Sequence, residues 1–284
     1  MTLVATRQLM EDASKRRAGV GAFNVVHLET AEALVSAAET AGLPVVLQIS
    51  QNCAVYHGGL EPVALATLSL ARSASVPVAV HLDHAEDEEL AYQAIELGFG
   101  SVMFDGAHLP YDENVEMTAR VTTFAHRRNV YVEAELGRIG GKNGAHAPGV
   151  RTDPEEARAF VAATGVDALA VAVGSSHAMS ERSATVDIDL ITRLHATLAI
   201  PLVLHGSSGV ADRHIVAAIR AGMTKINVST HLVGIFTSAV RGFLKDNERV
   251  VDSRKYVAPA RADVAAEAAR LLRLFSLTAP LDLP

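Results

Sequence analysis

Apolar residues along this chain fall into short, valine-rich runs that alternate with longer stretches of helical periodicity. Residues 5–17 (ATRQLMEDASKRR) read as an amphipathic helix ahead of the first run. The runs at 19–26, 44–50, 77–83, 101–105, 130–135, 168–174, 201–206 and 225–230 read as buried strands. Helical patterns follow at 29–41, 61–75, 87–97, 111–128, 189–198, 211–221 and 231–244. A further helix starts at Asp153-Pro154, with Asp as N-cap and Pro in the first turn. Strand-then-helix repeated in one pass predicts parallel strands with right-handed crossovers. Eight such units predict an α/β fold, a closed (β/α)8 TIM barrel; an open doubly wound sheet is the alternative. The barrel spans about 19–245 in a single domain, and 246–284 form a C-terminal arm, helical over 262–275. Residues 137–151 are Gly-rich and aperiodic, the longest loop, and long loops in compact domains are usually functional.

Composition narrows the function. Of 284 residues, 49% are hydrophobic and 5% aromatic, with no Trp, which suits one large core of layered aliphatic packing. A net charge of -7 gives no general electrostatic footprint for nucleic acid. No apolar run reaches the roughly 18–20 residues needed to span a bilayer, so no membrane partner is expected. The first residues lack the basic-then-apolar order of a signal peptide. Cys53 is the only cysteine, so no intrachain disulfide forms and a reducing cytoplasm fits.

In such a barrel the chemistry lies at the carboxyl ends of the strands. Those ends carry Asn24, Ser50, Asp83 and His84, Glu133 and Glu135, then Gly174-Ser175-Ser176-His177. Strand seven ends in His205-Gly206-Ser207-Ser208-Gly209 and strand eight in Asn227-Val228-Ser229-Thr230. His84, His177 and His205 converge at one mouth from three strands. Three neutral imidazoles with an open fourth position are the donor set of a catalytic Zn²⁺. His81 lies on its strand as a supporting or structural group. The Gly206–Gly209 turn opens a helix, where backbone N–H groups and hydroxyls suit a phosphate. Asn227, Ser229 and Thr230 close the same cradle.

Several stretches together carry a family likeness. HLDH at 81–84, VEAELG at 132–137, GSSH at 174–177, HGSSG at 205–209 and KINVST at 225–230 resemble the class II, metal-dependent ketose-bisphosphate aldolases. AFN at 22–24 and TDPEEA at 152–157 match too, all in the right order. The resemblance implies Zn²⁺ on His84, His177 and His205, and Asp83 as acid/base at the hydroxyl of the carbon–carbon bond that breaks. It implies cleavage of a ketose phosphate, such as fructose 1,6-bisphosphate, to dihydroxyacetone phosphate and an aldehyde. Glu135 matches a carboxylate that approaches the metal. Gly206, Ser208, Asn227 and Thr230 match the phosphate grip, which in the family often includes a monovalent cation, Na⁺ or K⁺. Arg254, in DSRKY at 252–256, is similar to a family Arg that holds the second phosphate in a neighbouring subunit's site; a homodimer or homotetramer is implied.

The chain departs from the family twice. Ala178 stands where the family usually has Gly, directly after the metal histidine of strand six. Between Glu135 and Asp153 there is no acid, whereas the family carries a run of them there to handle the proton on the enediolate carbon. His146, in Gly144-Ala145-His146-Ala147-Pro148, is the candidate replacement, because an imidazole pKa of ~6.5 suits proton transfer near neutrality. Two other readings stand beside the zinc aldolase. One is a Schiff-base aldolase using Lys225. The other is a sugar-phosphate-binding homologue, non-catalytic or altered in specificity.

Overall fold

The computed structural model describes residues 2–136, 151–175, 182 and 184–278. Eight parallel strands close on themselves in sequence order: β1 Val20–Asn24, β2 Val45–Ser50, β3 Val78–Ala85, β4 Ser101–Phe104, β5 Tyr131–Leu136, β6 Ala168–Val171, β7 Leu202–Leu204 and β8 Met223–Val228. The β8–β1 pairing, with Val20 opposite Lys225 and Ala22 opposite Asn227, shuts the barrel and excludes the open sheet. Side chains alternate across the wall. Phe23, Leu47, Val80, Val132 and Ile226 face outward into the layer under the helices. Ala22, Val46, Ala79, Ala168, Ala170 and Val203 fill the lower interior. These small side chains fit where eight strands crowd a narrow lumen.

The amino end of the barrel is plugged. Helix α1, Thr6–Lys15, is amphipathic, and its Leu9, Met10 and Ala13 join the interior cluster. The residues before it extend the sheet edge: Val4 N–H donates to the Val78 carbonyl at 2.9 Å and Val78 N–H to that of Thr2 at 2.7 Å. The outer ring comprises α2 Leu28–Ala41, α3 Gln51–Tyr56, α4 Glu61–Ser73, α5 Glu88–Leu97, α6 Tyr111–His126, α7 Pro154–Thr164, α8 Ile188–Thr197, α9 Asp212–Ala221 and α10 Thr230–Asp246. Asp153 caps α7 as its sequence indicates, accepting from Glu155 and Glu156 N–H at 2.9 and 3.0 Å. The short helix α3 is absent from the sequence pattern. Ser50 starts it by accepting from Cys53 N–H at 3.2 Å.

The C-terminal helix α11 runs over Arg254–Phe275, starting well before the expected residue 262. Pro259 lies inside it, in the second turn, where the missing N–H removes one intrahelical hydrogen bond and hides the helix from a pattern reading. α11 seals the barrel wall over β1. A β-carbon on Gly21 would stand 2.8 Å from Leu272 Cδ2 and 2.9 Å from Phe23 Cζ, so a larger residue would force these side chains to shift. Phe275 packs on Phe23, and its carbonyl accepts from Gly19 N–H at 2.8 Å. α10 buries only Leu232 among its own residues and leans on α11. Among the described residues no helix is long and apolar enough to cross a membrane.

Polar side chains tie α9, α10 and α11 together. Glu267 accepts from His231 Nε2 and from Arg270, each at 2.7 Å, and Arg270 also reaches Asp212 at 2.6 Å. Burial pushes the Glu267 carboxyl up, but the bonds from Arg270 and His231 outweigh it and hold the group at about 2. An acid with a depressed folded-state pKa stabilises the protein above its ordinary value near 4.5. That contribution is lost as pH falls from there toward about 2. Glu267→Gln therefore flattens acid unfolding in this window. With solvent screening of a half-exposed network, the difference from wild type amounts to about 1 kcal/mol. Urea midpoints measured at pH 5 and pH 2.5 check this; parallel losses in both proteins refute it.

Candidate active site at the barrel mouth

The upper interior is polar because inward positions near the carboxyl ends carry acids, amides and imidazoles instead of alanine. Register aligns them: Asn24 lies opposite Gln48, Gln48 opposite His81, and Ser50 opposite Asp83. Consecutive residues of a regular strand face opposite sides of the sheet, so Asp83 and His84 could not both point inward. The backbone solves this locally. His84 adopts a left-handed conformation with φ 50°, and the β3–β4 register shifts between Leu82 and Ala85. Such an irregularity re-aims a side chain. For a non-glycine residue it costs about 1–2 kcal/mol.

Two imidazoles then meet nitrogen to nitrogen. His84 Nε2 lies 2.9 Å from His205 Nδ1, with the rings at 84°. The far nitrogen of each ring is held by a buried carboxylate. Asp105 Oδ2 accepts from His84 Nδ1 at 2.7 Å, and Glu133 Oε1 accepts from His205 Nε2 at 2.9 Å. These carboxylates assign the tautomers. Both facing nitrogens therefore present lone pairs, an arrangement that calls for a cation between them. His205 is steadied from its backbone too, where Ser175 Oγ donates to its carbonyl at 2.6 Å. Asn227 Nδ2 stands 3.2 Å from His205 Nε2. With that nitrogen carrying hydrogen, the amide oxygen belongs opposite it, which releases the amide N–H groups for another acceptor.

Asp83 stands beside the pair. Asn24 Nδ2 donates to its Oδ2 at 2.9 Å, and Gln48 Nε2 donates to Asn24 Oδ1 at 2.8 Å. Its Oδ1 is buried with no hydrogen-bond partner among the described residues and lies 3.9 Å from His84 Nε2. Burial raises the Asp83 pKa, but His84, His205 and Lys225, with the Asn24 bond, overcome it and leave the group lowered, hence ionised. Glu135 Oε2 is 3.9 Å from His84 Nδ1. Ligand atoms of Asp83, His84 and His205 lie within 4.8 Å of one another, as do those of His84, Asp105 and Glu135.

The turn after β7 carries the residues expected to bind a phosphate. Gly206, with φ 66°, reverses the chain after His205. Ser207 Oγ donates to the Asn227 carbonyl, and Ser208 Oγ accepts from His231 N–H at 3.2 Å. Ser208 and Thr230 line one end of an open cleft of about 630 Å³. Ser229 joins β8 to α10, and Ser50 caps α3. Val228 differs from its neighbours, because its side chain joins the hydrophobic layer outside the barrel. Arg254 is exposed at the start of α11, its guanidinium forked on Asp252 at 2.9 and 3.0 Å. His146, His177 and Ala178 lie outside the described residues.

Sequence reasoning did not single out Asp105 or Gln48, and it placed Glu133 at the mouth without a role. Asp105 ends SVMFD, so the strand-end rule that found Asp83 applies to it equally. Lys225 lies below the imidazoles, 2.7 Å from Glu133 Oε2 and 1% exposed. Buried there and held between Glu133 and His81, its Nζ is not offered to a substrate at the mouth, as a Schiff base requires.

A closed barrel whose mouth gathers two opposed imidazoles and a bare carboxylate defines a metal-dependent barrel enzyme. Comparison with known proteins makes the class definite. The family described as fructose-bisphosphate aldolase class-II matches residues 4–279. The fructose-bisphosphate aldolase of Geobacillus stearothermophilus is 38% identical over 279 residues, covering 97% of each chain. The 6-phospho-5-dehydro-2-deoxy-D-gluconate aldolase of Bacillus licheniformis is 37% identical over 278 residues, covering 97% of this chain and 95% of its own. The crystal structure of the YdjI aldolase from Escherichia coli K12 superposes with a TM-score of 0.83 at 30% identity, covering 96% of this chain and 97% of that one. The chain belongs to the class II, zinc-dependent aldolase family.

The residues fit the divalent metal that this family implies. Facing lone pairs on His84 and His205 form a nitrogen donor set of the zinc kind, and the unbonded Asp83 Oδ1 beside them stays outside it. Carboxylates behind each imidazole fix ring orientation and raise basicity. Asp105→Asn should thus weaken zinc binding about 10–100-fold. Competition with a chromogenic chelator measures this, and an unchanged affinity would show that Asp105 does not orient His84.

Proposed function

We propose that the protein catalyses reversible retro-aldol cleavage of a ketose bisphosphate, such as fructose 1,6-bisphosphate, to dihydroxyacetone phosphate and glyceraldehyde 3-phosphate. The observation that carries this reading is the ionised, half-bonded Asp83 set against the His84–His205 pair. Asn24 and Gln48 hold Oδ2, which leaves Oδ1 to take a proton. In cleavage Asp83 removes the hydroxyl proton of the aldehyde half, the O–H electrons form its carbonyl, and the carbon–carbon pair passes to the other half. Condensation returns the proton. His84 and His205, with His177 as the third donor, hold the zinc. When bound, the metal supplies Lewis-acid stabilisation of the negative charge left on the dihydroxyacetone phosphate half. Gly206, Ser208, Asn227 and Thr230 grip its phosphate, with Na⁺ or K⁺ as a further counter-charge. Arg254 serves the second phosphate in a neighbouring subunit of a homo-oligomer. Glu135 stands near His84 as an additional carboxylate, and His146 supplies the proton to the enediolate carbon.

The gluconate-type relative is nearly as similar as the fructose-type one, and that favours a second substrate reading. A coupled cleavage assay should compare fructose 1,6-bisphosphate with 6-phospho-5-dehydro-2-deoxy-D-gluconate. Turnover of the first should vanish with EDTA and return with Zn²⁺. Turnover confined to the second transfers the same chemistry to that substrate. Inactivity on both, with zinc bound, would sink the fructose reading. Asp83→Asn should keep zinc and fold while kcat falls about 10²–10⁴-fold, the range of general acid–base contributions. A near-normal kcat in that variant would remove Asp83 from the proton-transfer role.

A further inference from the structure

Beneath the imidazoles runs a buried chain of polar groups that the cleavage chemistry does not use. Glu133 is 1% exposed and spends both oxygens internally. Oε1 accepts from His205 Nε2 at 2.9 Å and Oε2 from Lys225 Nζ at 2.7 Å. On its other side Lys225 Nζ lies 3.4 Å from His81 Nε2. His81 Nδ1 is 2.7 Å from Ser101 Oγ, which is 2.7 Å from Thr6 Oγ1 on the plug helix α1. The bonds along the chain share one consistent direction. Lys225 donates to Glu133 and to His81 Nε2, His81 Nδ1–H donates to Ser101, and the Ser101 hydroxyl donates to Thr6. A carboxylate this deep needs a partner on each oxygen to hold one orientation, and Lys225 is the hydrogen-bond donor on the second.

We infer that Lys225 is a positioning residue for the metal site. Acting through Glu133, it holds His205 in the Nε2–H tautomer with Nδ1 aimed at His84, while the His81–Ser101–Thr6 chain fixes the ammonium from the opposite side. This assigns the buried lysine of strand eight an electrostatic role and ties the plugged end of the barrel to the mouth. The inference rests on the metal reading of the mouth. The tests therefore include one that needs no metal.

Zinc affinity, read by chelator competition, should fall about 10–100-fold in Lys225→Met, the range for loss of an outer partner of a metal ligand. Lys225→Arg, which keeps the cation, should recover most of that loss. In a Glu133→Gln background, Lys225→Met should change affinity less than about twofold, because its route to His205 is already cut. If Lys225→Met alone fails to fold, the double variant, which buries no unpaired charge, is compared with wild type, and a zinc affinity equal to that of wild type overturns the inference. In the metal-free protein, ¹⁵N-histidine NMR should show His205 as the Nε2–H tautomer in wild type and Lys225→Arg, and mixed tautomers in Lys225→Met. Unchanged zinc affinity and tautomer in folded Lys225→Met would overturn the inference, as would an equal loss with and without Glu133. A wild type that binds no zinc but shows the tautomer change would count against the metal reading and leave the positioning role supported.

Discussion

The mouth of this barrel depends on the two carboxylates that stand behind its imidazoles. An imidazole that donates from one nitrogen must offer a lone pair from the other, and Asp105 and Glu133 impose that choice on His84 and His205. With both lone pairs aimed at one point, nitrogen to nitrogen at 2.9 Å, the site has a definite electrostatic demand before any ligand arrives. The carboxylates are delivered by the ends of β4 and β5, and the histidines by β3 and the end of β7. Four rigid strands therefore set a geometry that a loop could not hold as closely.

That arrangement divides the barrel interior along its axis. The lower half is alanine and valine, closed by Leu9 and Met10 of α1. The upper half contains Glu133, Lys225, Asp83 and His205, all nearly without solvent contact. Charges so placed interact strongly because little water screens them, and each survives only with a partner. Asp83 is the instructive exception. One of its oxygens is bonded through Asn24 to Gln48, while the other remains buried and unbonded among the described residues. A carboxylate held in this half-satisfied state is oriented by the protein and still able to accept a proton.

Much of this was legible in the sequence, and the misses have physical causes. Strand order and helix alternation followed from valine-rich runs punctuated by Gly, Pro and caps, and all eight strands lie where the pattern puts them. Asp83, His84 and His205 stand out in the sequence because barrel chemistry collects at strand ends, and the structure brings the three together. The inward turn of both Asp83 and His84 was not legible, since alternation alone sends neighbours to opposite faces and only a left-handed backbone brings them together. Asp105 meets the same strand-end rule, but its pairing with His84, like that of Glu133 with His205, depends on register, which no local pattern encodes. Helix α11 was begun too late because Pro259 breaks its periodicity, and α3 is too short to show any. His146, His177 and Ala178 lie outside the described residues, so the acid-free loop retains the role that its composition suggests and nothing more.

The bend at His84 places two incompatible demands on one position. Its backbone conformation is the one glycine adopts freely, whereas its imidazole requires a β-carbon that this conformation disfavours. Substitution by glycine there would relax the chain and remove one imidazole of the candidate metal site in the same stroke. A lineage freed from selection for catalysis would thus gain fold stability by losing this side chain, while one under such selection must retain a locally strained backbone. The left-handed backbone at residue 84 is therefore a local cost in folding that only its imidazole justifies.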